Sequence, residues 1–100
     1  MIKHIVIWDL KDNAEGKNRS ENALLLKSAL MGLRGHIPEI LELEVGIQSL
    51  PGAAFSDVVL VSSFKSQADL EIYQKHPEHQ KVVSFVKKIV SDRRAVDYEV

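Results

Sequence analysis

Two segments of this sequence have the pattern of strands that are apolar on both faces, and this feature constrains the fold most. In residues 2–10, Val6 and Trp8 share one face by the period of two, and Ile5 and Ile7 share the other. Residues 58–64 form a nearly continuous apolar run. Because such strands need apolar cover on both sides, we expect a sheet with both faces buried.

A helix is predicted after a polar loop at residues 11–16. Asn18 or Ser20 can cap this helix; Asn18 and Glu21 have the spacing of a capping box, and apolar residues then recur at helical spacing. Gly35 and Pro38 supply the stop. The stripe of this helix consists of Ala23, Leu26, Leu30 and Leu33.

The second half of the chain predicts two more strands and a broken helix. Residues 40–47 alternate between apolar and acidic side chains, which is typical of a half-buried strand with Leu41, Leu43, Val45 and Ile47 on one face. A loop at residues 48–56 precedes the apolar strand described above. Ser66 begins one short helix and Pro77 begins another, whose apolar stripe is expected to include Val82, Val83, Val86, Ile89 and Val90. Residues 93–100 alternate again and form a last strand.

The predicted order of elements is β, α, β, β, a broken α, and β. This is the α+β split βαβ arrangement of a ferredoxin-like domain, with a four-stranded antiparallel sheet and helices on one face. We expect a single domain over residues 1–100. Since one helical layer leaves the second sheet face uncovered, we predict a homodimer in which two sheets pack face to face.

Composition excludes several classes of partner. The net charge is −1, with thirteen basic and fourteen acidic residues interspersed, which argues against nucleic acid or an anionic membrane as partner. The sequence has no cysteine, which excludes disulfides and thiolate sites and fits the cytoplasm. Apolar runs are too short for a transmembrane span. We expect a cytoplasmic protein without a membrane or nucleic-acid partner.

The stretch Tyr73–His79 contains the densest group of side chains that can transfer protons. In a helix that begins at Pro77, His79 lies on the apolar stripe, and on the first strand His4 lies on the face of Val6 and Trp8. These side chains are expected to meet in one pocket between helices and sheet. The predicted pair is His79 and Tyr73, and the predicted ligand contacts are His4, Val6, Trp8, Leu70, Val83 and Val86.

Other roles for these residues remain open at the level of sequence. A buried histidine and tyrosine also occur as purely structural hydrogen-bonding groups at a break in the chain. His76 precedes a proline, so it is expected outside helical geometry, where its side chain can cap the restarted helix. His76 and His79 straddle a helix start without a supporting cluster of ligands, so neither a metal nor a cofactor is predicted.

Several segments together resemble the stress-responsive A/B-barrel (Dabb) family. They are Ile2–Val6, Ile37–Ile40 before Leu43–Gly46, Val59–Ser62 before Phe64, Tyr73–His79, and Val96–Tyr98. The resemblance covers nearly the whole chain, and the initial histidine combined with the Tyr-to-His-Pro-x-His stretch is its specific part. It implies a dimeric α+β barrel built from two ferredoxin-like subunits.

The resemblance also implies candidate activities. Plant members are linked to stress or antimicrobial responses, and one plant branch contains cofactor-free polyketide cyclases. In that branch a tyrosine and a histidine match Tyr73 and His79, and a further histidine matches His4. His79 would then be the general base of an aldol-type ring closure, and Tyr73 would donate a hydrogen bond to, or orient, His79 and the substrate carbonyl. Three hypotheses follow: binding of a small, mostly apolar molecule near His79, cyclase-like catalysis by His79 and Tyr73, and a structural or stress-interaction module.

Overall fold

A computed structural model describes residues 1–52 and 56–100 of the chain. Residues 53–55 of the predicted loop at 48–56 lie outside the described part. The elements in chain order are β1 (Ile2–Leu10), β2 (Asn13–Ala14), β3 (Lys17–Asn18), α1 (Arg19–Gly32), a 3₁₀ turn (Leu33–Gly35), β4 (Ile40–Ile47), β5 (Val58–Phe64), α2 (Gln67–Lys75), α3 (Pro77–Ile89) and β6 (Val90–Glu99).

The main sheet has four strands in the order β4-β5-β1-β6, and every neighbouring pair is antiparallel. Side chains of β1 alternate between the two faces: His4, Val6 and Trp8 are buried beneath the helices, whereas Ile5 and Ile7 are not. This is the predicted α+β ferredoxin-like fold with helices on one face of an antiparallel sheet, and the prediction is confirmed.

The three helix starts that the sequence indicated are confirmed, and Ser66 Oγ caps α2 by accepting from the Asp69 N–H over 3.2 Å. The Glu21 N–H donates to Asn18 Oδ1 over 2.8 Å, and the Asn18 N–H donates to Glu21 Oε1 over 3.1 Å, which completes the capping box. Pro77 is the first residue of α3, and His76 before it is extended, with φ −63° and ψ 136°. Local hydrogen bonding thus explains where α1 and α3 begin.

Three local predictions are wrong. The loop predicted at residues 11–16 includes β2 and the turn of a hairpin that β3 completes, and the turn residues Glu15 and Gly16 have φ of 53° and 74°. Positive φ at both positions suits a two-residue hairpin turn, which the composition of the segment did not indicate.

The second correction concerns β4, where the pairing register with β5 shifts between Ile40 and Glu42. Leu41 was expected to share the buried face with Leu43, but it is 46% exposed, while Ile40 is buried. A bulge of this kind inserts one extra residue and so reverses the alternation on one side of it.

The third correction concerns the boundary of the last strand. β6 begins at Val90, directly after the last residue of α3, rather than at Arg93, so Val90 belongs to the strand and not to the helical stripe. Apolar periodicity cannot separate these two states over a few residues.

The sheet face opposite the helices remains uncovered in a single copy of the chain. The strand register aligns Val96, Ile5 and Val61 in one row across three strands, and Val96 is 53% exposed. The flanking side chains of the same face include Ile7, Val59 and Tyr98. We call this surface, made of Ile5, Ile7, Val59, Val61, Val96 and Tyr98, the open sheet face.

Candidate functional site

A cavity of about 170 Å³ lies between the helices and the part of the sheet formed by β1, β5 and β6. Its lining is mostly apolar, with a few histidine, tyrosine and cationic side chains among the aliphatic ones. The lining residues are His4, Val6, Trp8, Leu30, Leu60, Tyr73, His79, Val82, Val83, Val86, Lys87, Val90 and Arg93.

Strand register and helix periodicity place the polar groups around this cavity. On the helix-facing side of the sheet, His4 pairs with Asp97 of β6, and Trp8 pairs with Arg93. On α3, His79 is followed at four-residue spacing by further lining residues, the last of which is Lys87. The cavity is therefore bounded by one row of side chains on each of β1, β6 and α3.

Tyr73 is the most enclosed polar side chain of the site, with none of its surface exposed. Its ring centroid lies 4.4 Å from that of His79 and 5.0 Å from that of Phe64. Burial raises the pKa of Tyr73 to about 12, although the charge of Arg93 acts in the opposite direction. At neutral pH Tyr73 is therefore a protonated hydrogen-bond donor.

His79 lies beside Tyr73 in its neutral form. Burial, the largest cause, lowers the pKa of His79, and the nearby charges of His4 and Arg93 lower it further. The His79 Nδ1 atom lies 3.1 Å from the carbonyl oxygen of Gln74. Since a carbonyl can only accept, Nδ1 carries the proton and Nε2 is left as a free acceptor, the form that a general base requires.

The buried His4 has a partner that the sequence did not indicate. Its Nδ1 atom contacts Asp97 Oδ1, so the ring donates to a carboxylate on β6. Its backbone carbonyl accepts from Ser62 Oγ over 3.0 Å, and its ring centroid lies 6.1 Å from that of Tyr73. The carboxylate thus fixes the orientation of a third ring at the same end of the cavity.

Two hydrogen-bond donors of the lining have no partner. Trp8 Nε1 and Tyr73 Oη are buried, and neither makes a hydrogen bond within the described residues. Most buried polar atoms in proteins are hydrogen-bonded, and each unpaired one costs free energy. Both residues line the cavity, so a ligand acceptor atom that reached either donor would be stabilised.

Seven residues that the sequence singled out line this one cavity: His4, Val6, Trp8, Tyr73, His79, Val83 and Val86. Leu70 does not line it, contrary to the prediction, although it is buried. Leu70 and Tyr73 both lie on α2, which packs on β4 and β5, and Tyr73, nearly one turn closer to the end of the helix, is the one of the two that lines the cavity. The roles of all these residues in binding or catalysis remain predictions.

Sequence reasoning missed Asp97, Arg93 and Lys87. Asp97 and Arg93 were assigned to a strand but not to a face near His4 and Trp8, because that assignment needs the register between β1 and β6. Lys87 could have been found, since it is eight residues after His79 and so lies on the same side of α3.

His76 has the structural role that its position predicted. The Glu78 N–H donates to His76 Nδ1 over 3.1 Å, which caps α3, and His76 does not line the cavity. Within residues 1–52 and 56–100, no group of three or more histidine, aspartate or glutamate side chains is arranged to hold a metal ion. The described helices are also too short or too polar to span a membrane.

A larger hollow of about 320 Å³ lies elsewhere, beside Gly46 and Leu50. It is more open to solvent than the cavity at His79, and neither His79 nor Tyr73 lines it. Enclosure, apolar lining and convergent polar groups favour the smaller cavity as the candidate site.

Comparison with known proteins relates the whole chain to one family. The model of the stress responsive A/B barrel domain (Dabb) matches residues 2–100. A dimeric protein of unknown function with a ferredoxin-like fold from Bacteroides fragilis is 31% identical to this chain. The alignment covers 99% of this chain and 95% of that chain, with a TM-score of 0.83. The search of curated proteins found no match.

More distant solved structures share the fold. A dimeric ferredoxin-like protein of unknown function from Thermobifida fusca is 23% identical, with 99% of this chain and 90% of that chain covered and a TM-score of 0.86. The hydroxynitrile lyase from Passiflora edulis is 17% identical, with 99% and 92% covered and a TM-score of 0.77. At this identity the likeness concerns architecture alone, since one fold supports unrelated activities.

Proposed function

Because this chain belongs to the stress responsive A/B barrel (Dabb) family, we propose that it is a homodimer that binds a small, mostly apolar molecule in the cavity beside His79. The observation that carries this proposal is the pair of unpartnered donors, Trp8 Nε1 and Tyr73 Oη, on an otherwise mostly apolar lining. A ligand with an acceptor oxygen would satisfy a buried donor while its apolar part fills the cavity.

The volume limits the size of such a molecule. An engineered cavity of about 150 Å³ in another protein holds benzene, and this one measures about 170 Å³. A ligand whose buried part is a single ring or a chain of roughly six or seven carbons therefore fits.

The dimeric part of the proposal follows from the open sheet face. Ile5, Val61 and Val96 form an apolar row that the helices of the same chain do not cover. A second copy packed through the same face would bury it in a two-fold arrangement. The 31% identical relative from Bacteroides fragilis is dimeric, which supports the same assembly here.

The proposed location of the protein is the cytoplasm, which the absence of cysteine supports.

Ligand screening by thermal shift tests the binding proposal, with native mass spectrometry of the purified protein to identify a bound compound. We expect small ring compounds and medium-chain compounds to raise the melting temperature of the wild type by mass action. His79→Ala should reduce this response, whereas His36→Ala, a change at a histidine outside the cavity lining, should leave it intact. Equal responses of all three proteins would contradict the assignment of the site, and the lack of any response would favour a structural module.

A second candidate function is proton transfer at a carbon acid, as in a cofactor-independent cyclase. It is favoured by one specific observation: a neutral His79 with a free Nε2 lies beside a protonated Tyr73, with their ring centroids 4.4 Å apart. His79 would remove a proton from a carbon between two carbonyl groups, and Tyr73 would donate a hydrogen bond to the enolate oxygen that develops. Asp97 would hold the His4 ring in a fixed orientation at this end of the cavity.

Turnover of a linear polyketide analogue tests this candidate. We expect His79→Ala to reduce the rate of ring closure by about 10²–10⁴-fold, the usual contribution of a general base. Tyr73→Phe should lower kcat, since it removes a donor that acts on developing charge. Ring closure that persists in both variants would remove the mechanism and leave the binding function standing.

A further inference from the structure

Two cations on the rim of the cavity lack an ion-pair partner. Arg93 and Lys87 both line the cavity, and within the described residues no carboxylate oxygen lies within ion-pair distance of either. Their immediate neighbours differ in this respect: Arg94 pairs with Asp92 and Lys88 pairs with Glu15, each over 3.7 Å. We call Arg93 and Lys87 the cationic rim.

The backbone positions of the cationic rim are offset along the cavity from those of His4 and His79, while the Arg93 side chain extends back far enough for its charge to lower the pKa values of Tyr73 and His79. Arg93 pairs with Trp8, four residues along β1 from His4, which corresponds to about 13 Å between their backbone positions. Lys87 is eight residues after His79 on α3, which corresponds to about 12 Å along the helix. Between these backbone positions the lining is aliphatic, from Val6, Val83 and Val86 among others. A ligand in the cavity therefore meets the two cations, aliphatic side chains and the polar groups of Tyr73 and His79.

We propose that the ligand of this site is an amphiphilic carboxylate, held by Arg93 and Lys87 at its carboxylate and enclosed at its apolar body. This inference rests on the proposed binding function and names the class of its ligand. A guanidinium presents a planar fork of donors that matches a carboxylate, and Lys87 adds a point charge from the facing helix. A second oxygen of the ligand, in a carbonyl or hydroxyl group, would accept from Tyr73 Oη.

The charge balance favours a monoanion over a phosphate dianion. Lys87 lies in the last turn of α3, where the helix dipole contributes partial negative charge that offsets part of the positive field. Phosphate sites are typically built on helix N-termini or on successive backbone N–H groups. The rim lies instead at the C-terminal end of α3, where the first residue of β6 follows directly.

Trp8 provides a direct measurement, because it is the one tryptophan of the sequence and its side chain lines the cavity. We would titrate the wild type with octanoate, 1-octanol and octyl phosphate and follow indole fluorescence. The three probes each contain eight carbon atoms in a linear chain and differ in the head group. We expect octanoate to bind about tenfold more tightly than 1-octanol, since charge-assisted hydrogen bonds are the stronger ones.

A matched pair of double variants separates the rim from overall charge. Arg93→Gln with Lys87→Gln removes the cationic rim, and Arg34→Gln with Lys88→Gln removes the same net charge at residues outside the cavity lining. The rim variant should lose about tenfold in octanoate affinity and keep its affinity for 1-octanol. The control variant should keep both affinities. Thermal unfolding of both variants checks that the fold is retained.

Each outcome decides between the two proposals. If 1-octanol binds and octanoate binds no more tightly, or if both double variants lose octanoate equally, the carboxylate inference is overturned while the binding function stands. Tighter binding of octyl phosphate than of octanoate also overturns it. If none of the three probes changes Trp8 fluorescence, the proposed cavity binding fails as well.

Discussion

Tyr73 is the most enclosed polar side chain of the candidate site, because its hydroxyl is buried without a hydrogen-bond partner among the described residues while its ring packs on His79 and Phe64. The phenol must stay protonated in this environment. The shift of its pKa therefore has a consequence for stability as well as for chemistry.

The first prediction concerns alkaline stability. Because the pKa of Tyr73 is raised from 10.0 to about 12, its contribution is fully present below pH 10 and is lost as the pH rises from 10 to 12. A shift of this size corresponds to about 3 kcal/mol of unfolding free energy over that window. Urea denaturation of the wild type and Tyr73→Phe at several pH values measures it. The variant should lack this part of the pH dependence, and parallel curves for the two proteins would contradict the prediction.

The second prediction concerns acid stability. The pKa of His79 is lowered in the folded protein, so protonation favours the unfolded chain. The contribution of His79 is present above its ordinary pKa of 6.5 and is lost as the pH falls below that value. Urea denaturation between pH 7.5 and 5 should show a loss of stability that is smaller in His79→Gln. As a control, His36→Gln should retain the slope of the wild type.

At the scale of the element, the break between α2 and α3 shows how a few side chains determine where the second helix begins. His76 lies in extended geometry before Pro77 and accepts from the Glu78 N–H through Nδ1. The break turns the chain so that α3 can present His79 to the cavity.

The third prediction tests this cap. His76→Ala removes the acceptor and should lower the free energy of unfolding by about 1 kcal/mol, the typical value for a helix N-cap. His76→Asn supplies another acceptor at the same position and should recover most of the loss. Chemical denaturation of the three proteins measures both effects. Equal stabilities of the alanine and asparagine variants would show that the His76 side chain does not act as the cap.

β6 presents different kinds of residue on the two faces of the sheet. Its apolar residues Val96 and Tyr98 point away from the helices, while Arg93 and Asp97 point towards them. The strand therefore places charged side chains on the side of the helices and the cavity, and apolar side chains on the open sheet face. One strand therefore contributes to both proposed binding surfaces.

At the scale of the whole molecule, the open sheet face leads to the fourth prediction. Val61→Glu places a charge beside Ile5 in the row formed by Val96, Ile5 and Val61, and burying an unpaired charge costs several kcal/mol. We expect a dimer for the wild type and a monomer for the variant in sedimentation velocity at low micromolar concentration.

Leu24→Glu is the matched control, because Leu24 is an apolar residue on α1 that is 64% exposed. Its sedimentation should equal that of the wild type. A wild type that sediments as a monomer would overturn the proposed assembly, and a dimeric Val61→Glu variant would place the interface elsewhere.

How much of this molecule was predictable varies between particular residues. The Asn18 capping box, the start of α3 at Pro77 and the inward direction of His79 followed from spacing alone, because they depend on hydrogen bonds and periodicity within a few residues. The hairpin at Asn13–Asn18 and the bulge at Ile40 did not, because backbone conformation at single positions decides them.

By itself, the sequence determined the types and order of the main elements and the two-faced apolar character of β1 and β5, since side-chain periodicity is a local property. Only the tertiary structure decided that Asp97 lies against His4, that Arg93 lies opposite Trp8, and that Leu70 lies away from the cavity. His4 and Asp97 are separated by 93 positions in the chain. Contacts of this kind depend on which strands pair and in what register, and no pattern within either segment specifies that register.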